Sequence, residues 1–153
     1  MPAPVFDEGP GLFLPSIFQG NARALTLTLG RMPDAARGGA CVQFGYCPET
    51  GASRAWAAVS WRVPADRWDA SGVNLSGARK LRFFARGERG GETVEFGHAG
   101  GGLTVTLTPG WKEFEFDLAG KDLRRVVNGF FVFVAQARNP GGCVFYLDEI
   151  RYE

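Results

Sequence analysis

Short apolar runs with a two-residue period, parted by glycine- and proline-rich turns, cover almost the whole chain. Ala24-Leu-Thr-Leu-Thr-Leu29 alternates cleanly and predicts a strand with leucines on one face and threonines on the other. Trp111-Lys-Glu-Phe-Glu-Phe-Asp-Leu118 does the same, with Phe114, Phe116 and Leu118 opposite Glu113, Glu115 and Asp117. Gly129-Phe-Phe-Val-Phe-Val-Ala135 is apolar at both parities, which predicts a central strand covered on each side. The C-terminal run from Cys143 to Tyr152 follows two glycines and predicts a strand paired inside a sheet, because a loose apolar end would fray. Further strands are expected over 4–8, 40–46, 54–61, 80–86, 93–96 and 103–107. Arg89-Gly-Gly91 reads as a hairpin turn between two of them, residues 9–20 as a long ordered loop, and 121–125 as one helical turn. About ten strands at this spacing, with no convincing helix, indicate an all-β protein. So many strands in one open sheet would curl or split, and the expected architecture is a two-sheet antiparallel β-sandwich of jelly-roll type.

Composition narrows the function more than the fold. The 153 residues, 1–153, form one domain by size and can bury a core of their own. A net charge of +1 lacks the footprint of a nucleic-acid binder. No apolar run is long enough to span a membrane, and Met1-Pro-Ala-Pro-Val has neither the basic nor the apolar region of a signal peptide. The expectation is a cytoplasmic chain, or one trimmed of a leader and so secreted or periplasmic. Cys41 and Cys47 lie near opposite ends of one predicted strand, too far apart to bridge, so any disulfide would use Cys143. Three buried free thiols is the expected state.

Three stretches carry a resemblance: Asn74-Leu-Ser-Gly-Ala-Arg-Lys-Leu-Arg-Phe-Phe-Ala-Arg-Gly87, Leu107-Thr-Pro-Gly-Trp-Lys-Glu-Phe-Glu-Phe-Asp-Leu118 and Phe145-Tyr-Leu-Asp-Glu-Ile-Arg-Tyr152. The chain from about Trp56 onward resembles the jelly-roll carbohydrate-binding modules of the galactose-binding-like fold. That resemblance implies a non-catalytic domain that recognises a glycan, attached to or partnered with an enzyme. It also implies a structural calcium ion, held by Asp148 of the last strand and by Asp7, Glu8 and Asn21 near the first. Asn21 stands where an acidic ligand is expected, and its amide oxygen brings no charge.

The residues themselves suggest how a glycan would be held. Sugar rings stack their apolar faces on flat aromatics, so the tryptophans come first. Trp56 and Trp61 are five apart, so a regular strand points them to opposite faces: one can line a groove and the other belongs to the core. Trp68, between Arg67 and Asp69, is the candidate for an exposed platform. Arg82 and Arg86 share a strand face, Glu95 follows the predicted hairpin as a cross-strand partner for Arg86, and Gln136 ends the apolar strand. These four are candidate readers of hydroxyl groups. The competing view makes them ordinary surface polar groups, and the aromatics core residues of a structural or protein-interaction domain.

An enzyme would need Glu113, Glu115 and Asp117 as a catalytic face, as in jelly-roll glycosidases with paired carboxyls. Alternating acids opposite phenylalanines are what any amphipathic strand requires, so no residue is taken as catalytic. His98 is the only histidine and has no nucleophile motif beside it.

Overall fold

The computed structural model describes residues 3–7, 9–10, 13–31, 35–36, 39–63 and 72–153. Among the described residues twelve strands form two antiparallel sheets: β1 (Ala3–Asp7), β2 (Gly9–Pro10), β3 (Leu14–Gly20), β4 (Leu25–Arg31), β5 (Ala40–Tyr46), β6 (Trp56–Arg62), β7 (Lys80–Gly87), β8 (Thr93–His98), β9 (Gly101–Thr106), β10 (Lys112–Asp117), β11 (Asn128–Ala135) and β12 (Cys143–Tyr152). The smaller sheet has five strands in the order β3-β6-β11-β8-β9. The larger has seven and is built on β12, with β7 then β10 along one edge. Along its other edge β12 carries β5 on Cys143–Leu147 and β1 on Ile150–Tyr152. The expected all-β sandwich is therefore observed, with the last strand inside one sheet and β11 at the centre of the other, although β11 is covered on one side only and leaves Phe131 and Phe133 half buried on the other.

Period-two burial makes the sandwich. Along β7, Leu81, Phe83 and Ala85 are buried while Lys80, Arg82, Phe84 and Arg86 are only partly so. The inward rings of both sheets meet in one aromatic core. Phe83 lies 4.9 Å from Phe96 and 5.2 Å from Phe130, and Phe44 stacks on Phe145 at 4.9 Å. Between the sheets, the buried Tyr152 hydroxyl donates to the Gly129 carbonyl at 2.6 Å. Burial pushes that phenol's pKa up, which keeps it a donor.

Four details differ from the sequence expectation. Residues 9–20 are not one loop: Leu14–Gly20 forms an edge strand, whose register shifts between Pro15 and Ile17. An edge with a bulge is where a strand tolerates proline. The segment 87–92 is not a hairpin, because β7 and β8 belong to different sheets and the chain arches across the sandwich end. Residues 121–125 make no helix; Leu123 accepts a backbone hydrogen bond from Leu75, and Val126 bridges Val73. Of the three free thiols Cys41 is buried, Cys143 partly buried and Cys47 exposed, so they are not all core residues.

β12 contains one irregularity of its own. Its pairing with β7 slips between Asp148 and Arg151, and Glu149 there has φ of +46°. The extra residue is a bulge, placed where β5 ends and β1 begins. The Asp148 carboxylate, fully buried, accepts the Glu149 N–H at 2.8 Å and helps hold this turn.

Candidate functional site

A two-layer sandwich has no third layer, so each sheet turns one face outward. The larger sheet fills its outer face with its own charges. Glu115 bonds Lys80 at 3.2 Å and Arg82 at 3.2 Å, and Arg82 also reaches Glu153 at 3.3 Å. Arg151 pairs with Glu149 at 2.9 Å and Glu153 at 2.6 Å. The Arg86 guanidinium lies over the Tyr146 ring at 4.1 Å, and the Tyr146 hydroxyl donates to Glu88 at 2.5 Å. The Lys80 hydrogen bond, ahead of the contacts with Arg82, holds the Glu115 carboxyl below its usual range. An ionised carboxylate clamped by two cations is poorly suited to acid or nucleophile.

The outer face of the smaller sheet is different in kind. Cross-strand pairing aligns Ala58, Phe133, Glu95 and Thr104 in one row, and Ser60, Phe131, Gly97 and Gly102 in the next. Trp56 opens a third row, opposite Ala135. Small residues at 58, 60, 97 and 102 leave three half-buried rings as the bulk of this face. Trp56 and Phe133 stack at 5.4 Å with 27° between their planes. The rings are seated on glycine. A Cβ at Gly97 would lie 2.3 Å from the Phe131 ring, and one at Gly20 would lie 2.6 Å from that of Trp56. Polar groups border the rings. A hollow of about 90 Å³ is lined by Thr93, Glu95, Thr104, Phe133, Ala135 and Arg138. Neither the Glu95 carboxylate nor the Arg138 guanidinium has a hydrogen bond or ion pair among the described residues.

The predicted binding residues are thus divided. Trp56 and Glu95 share the smaller sheet, and Gln136 lies in the turn just after β11, its N–H bonding the Ala55 carbonyl beside Trp56. Trp61 is 1% exposed and packs its ring on Phe44 and Phe130, so it cannot touch a ligand. Five-residue parity had separated the two tryptophans correctly. Arg82 and Arg86 lie on the opposite sheet, and the cross-strand pair of Arg86 with Glu95 does not exist, because the arch at 87–92 parts their strands. Trp68 lies outside the described residues.

Phe131, Phe133, Arg138, Thr93 and Thr104 were missed. For the phenylalanines the signal was present: a strand apolar at both parities in a two-layer fold must show one apolar face.

Of the predicted calcium ligands, only the Asn21 and Asp148 side chains lie among the described residues. Asn21 donates its amide to Glu49 at 3.3 Å, next to Trp56, while Asp148 lies at the β12 bulge. The Asp7 side chain and Glu8 are outside the described residues. Among the described residues no three His, Cys, Asp or Glu side chains form a group fit for a metal ion.

His98 is buried against Phe116, its Nδ1 accepts the Gly100 N–H at 3.0 Å, and burial, then Lys121, lowers its pKa. Burial, then Glu92, pushes the Cys143 thiol up to about 12, so it stays protonated and weakly nucleophilic near neutrality.

Comparison with known proteins separates sequence from fold. No family model and no curated protein matches the sequence. Solved structures do match in shape. A family 30 carbohydrate-binding module superposes with a TM-score of 0.66 at 15% identity, covering 99% of this chain and 87% of that one. The family 30 module of the cellulosomal cellulase Cel9D-Cel44B of Clostridium thermocellum gives 0.64 at 14% identity, over 100% and 97%. The glycoside hydrolase domain of Endo-D from Streptococcus pneumoniae gives 0.60 at 17%, covering 89% of this chain but only 21% of that larger chain. The fold is that of jelly-roll carbohydrate-binding modules. No helix among the described residues is long and apolar enough to cross a membrane.

Proposed function

We propose that this domain is a non-catalytic carbohydrate-binding module that holds an oligo- or polysaccharide across the outer face of its smaller sheet. One observation carries the proposal: three aromatic rings, two of them stacked, stand on the outward face of a two-layer sandwich and are seated on glycine or small residues. Such a patch is costly to leave in water unless a ligand uses it. Trp56, Phe131 and Phe133 supply stacking surface. Glu95, Thr104, Arg138 and Gln136 stand within the same face or at its end, and can exchange hydrogen bonds with hydroxyls. The fold neighbours described as carbohydrate-binding modules support the same class. Binding rather than hydrolysis is the reading because, of the acids of β10, Glu115 is clamped by Lys80 and Arg82, Glu113 faces Arg151, and Asp117 accepts the Ala119 N–H.

A glycan array followed by calorimetry tests this. Wild-type protein is expected to bind at least one soluble oligosaccharide without releasing reducing ends. Trp56→Ala and Phe133→Ala are each expected to weaken binding roughly tenfold, the scale of a lost aromatic contact. Trp68→Ala belongs in the same series, since its loop was the platform expected from sequence. Silence of the wild type across plant, fungal and bacterial glycans, with concentration-dependent self-association lost in Phe133→Ala, would replace glycan binding by a protein interface.

A further inference from the structure

An open sheet leaves unpaired backbone along its edges, and such edges recruit further strands unless they are blunted. Among the described residues most edges are. β3 carries Pro15 and a register shift, and β2 is two residues long and ends in Pro10. β10 sets Lys112, Glu113, Glu115 and Asp117 along six residues. β4 turns its first N–H back to the Ala22 carbonyl and ends in Arg31. β9, Gly-Gly-Leu-Thr-Val-Thr, is different: it forms an edge of the smaller sheet with no charge, no proline and no register shift. All of its residues except Val105 are exposed. Leu103 is 40% exposed although it stands opposite the fully buried Phe96.

The phase of the β8–β9 ladder follows from its end. The Leu107 N–H donates to the Glu92 carbonyl at 2.7 Å, one step beyond the paired residues. Asn139, past the end of β11, takes both backbone groups of Thr93. Bonded pairs alternate along an antiparallel ladder, so Leu103 and Val105 turn their N–H and C=O toward β8. Gly102, Thr104 and Thr106 turn theirs outward, and no backbone hydrogen bond among the described residues reaches them.

We propose that β9 pairs with β9 of a second copy of this chain, antiparallel about a two-fold axis at Thr104, joining two five-stranded sheets into one. In that register the strand is complementary to itself. Thr104 meets the partner's Thr104 and Gly102 meets the partner's Thr106, so each outward donor faces an outward acceptor. On the interior side Leu103 comes opposite the partner's Val105, which covers its exposed surface. No like charges are brought together along the strand. The two aromatic faces then lie on the same side of one sheet, their β11 strands five strand spacings, about 24 Å, apart. Strand pairing alone covers less than the roughly 800 Å² per partner of a stable interface, so this dimer is weak and fills at high local concentration, as on a polysaccharide. The pairing goes beyond the proposed glycan binding; only its use on a polysaccharide rests on that reading.

Sedimentation velocity over a concentration series tests the pairing, with wild type, Leu103→Lys, Thr106→Pro and Phe133→Ala. The wild type is expected to shift from monomer toward dimer as concentration rises. Leu103→Lys sets a charge on the inner side of the edge, and Thr106→Pro removes an outward N–H that β8 does not use. Each is expected to lose the dimer while still melting cooperatively. Phe133→Ala, two strands away, is expected to dimerise like the wild type. Amide hydrogen exchange of the wild type gives a readout free of substitutions. Gly102, Thr104 and Thr106 should exchange fast in dilute solution and slowly in concentrated solution, with Leu103 and Val105 protected in both. A monomer at every concentration, or a dimer that survives in both edge variants and in Phe133→Ala, would overturn the pairing and leave glycan binding standing. A dimer lost in Phe133→Ala but kept in both edge variants would overturn the two proposals together.

Discussion

Gly97 shows how a residue without a side chain can shape a site. Its α-carbon is the bed of the Phe131 ring, and an added methyl would sit 2.3 Å from that ring. That methyl would also lie 2.6 Å from the Gly101 carbonyl oxygen, so Gly97→Ala is expected to strain the β8–β9 pairing as well as displace the ring, lowering both the melting temperature and glycan affinity in a thermal melt and calorimetry. The two tryptophans of β6 give the reverse contrast. Trp61→Ala empties the core and is expected to cost about 3–5 kcal/mol in urea unfolding, whereas Trp56→Ala changes binding far more than stability. That division was legible from spacing alone, because strand parity is insensitive to tertiary context. His98 supplies a pH dependence. Its folded pKa lies below the unfolded value of about 6.5, so its contribution is complete above that pH and is lost as pH falls toward the lower folded value. Calorimetric melts should show Tm dropping between pH 7.5 and 5 in the wild type, with a flatter profile in His98→Gln.

Strands behave less locally than residues. Which strands exist could be predicted from alternation, but their partners could not. The glycine-rich segment 87–92 has the composition of a hairpin and yet spans two sheets: within it the Arg89 N–H goes to the Glu92 carboxylate, and from outside the Leu107 carbonyl takes the Gly91 N–H. That one arch moves Arg82 and Arg86 to the face opposite Glu95, which is why a site drawn from sequence mixed the two faces. The sheets are also joined by the Tyr152 hydroxyl. Tyr152→Phe would keep the ring but leave the Gly129 carbonyl without its donor, and is expected to lower stability by about 1–3 kcal/mol in urea titration. A value near zero would mean that water reaches that carbonyl.

At the scale of the molecule, the two outward faces divide the labour. One is knit together by ion pairs among its own strands; the other presents rings and unpaired polar arms. No metal-ligating group among the described residues borders the rings, so EDTA is expected to leave glycan affinity unchanged in calorimetry. A loss on chelation would place an ion at the site. The ends of the described chain have a practical bearing on all these measurements. Ala3 pairs with Tyr152, so both ends of the fold emerge together from the larger sheet, across the sandwich from the aromatic rings. A biosensor tether fixed at either end would therefore hold the protein by its back and leave its sugar-facing side turned toward the flow.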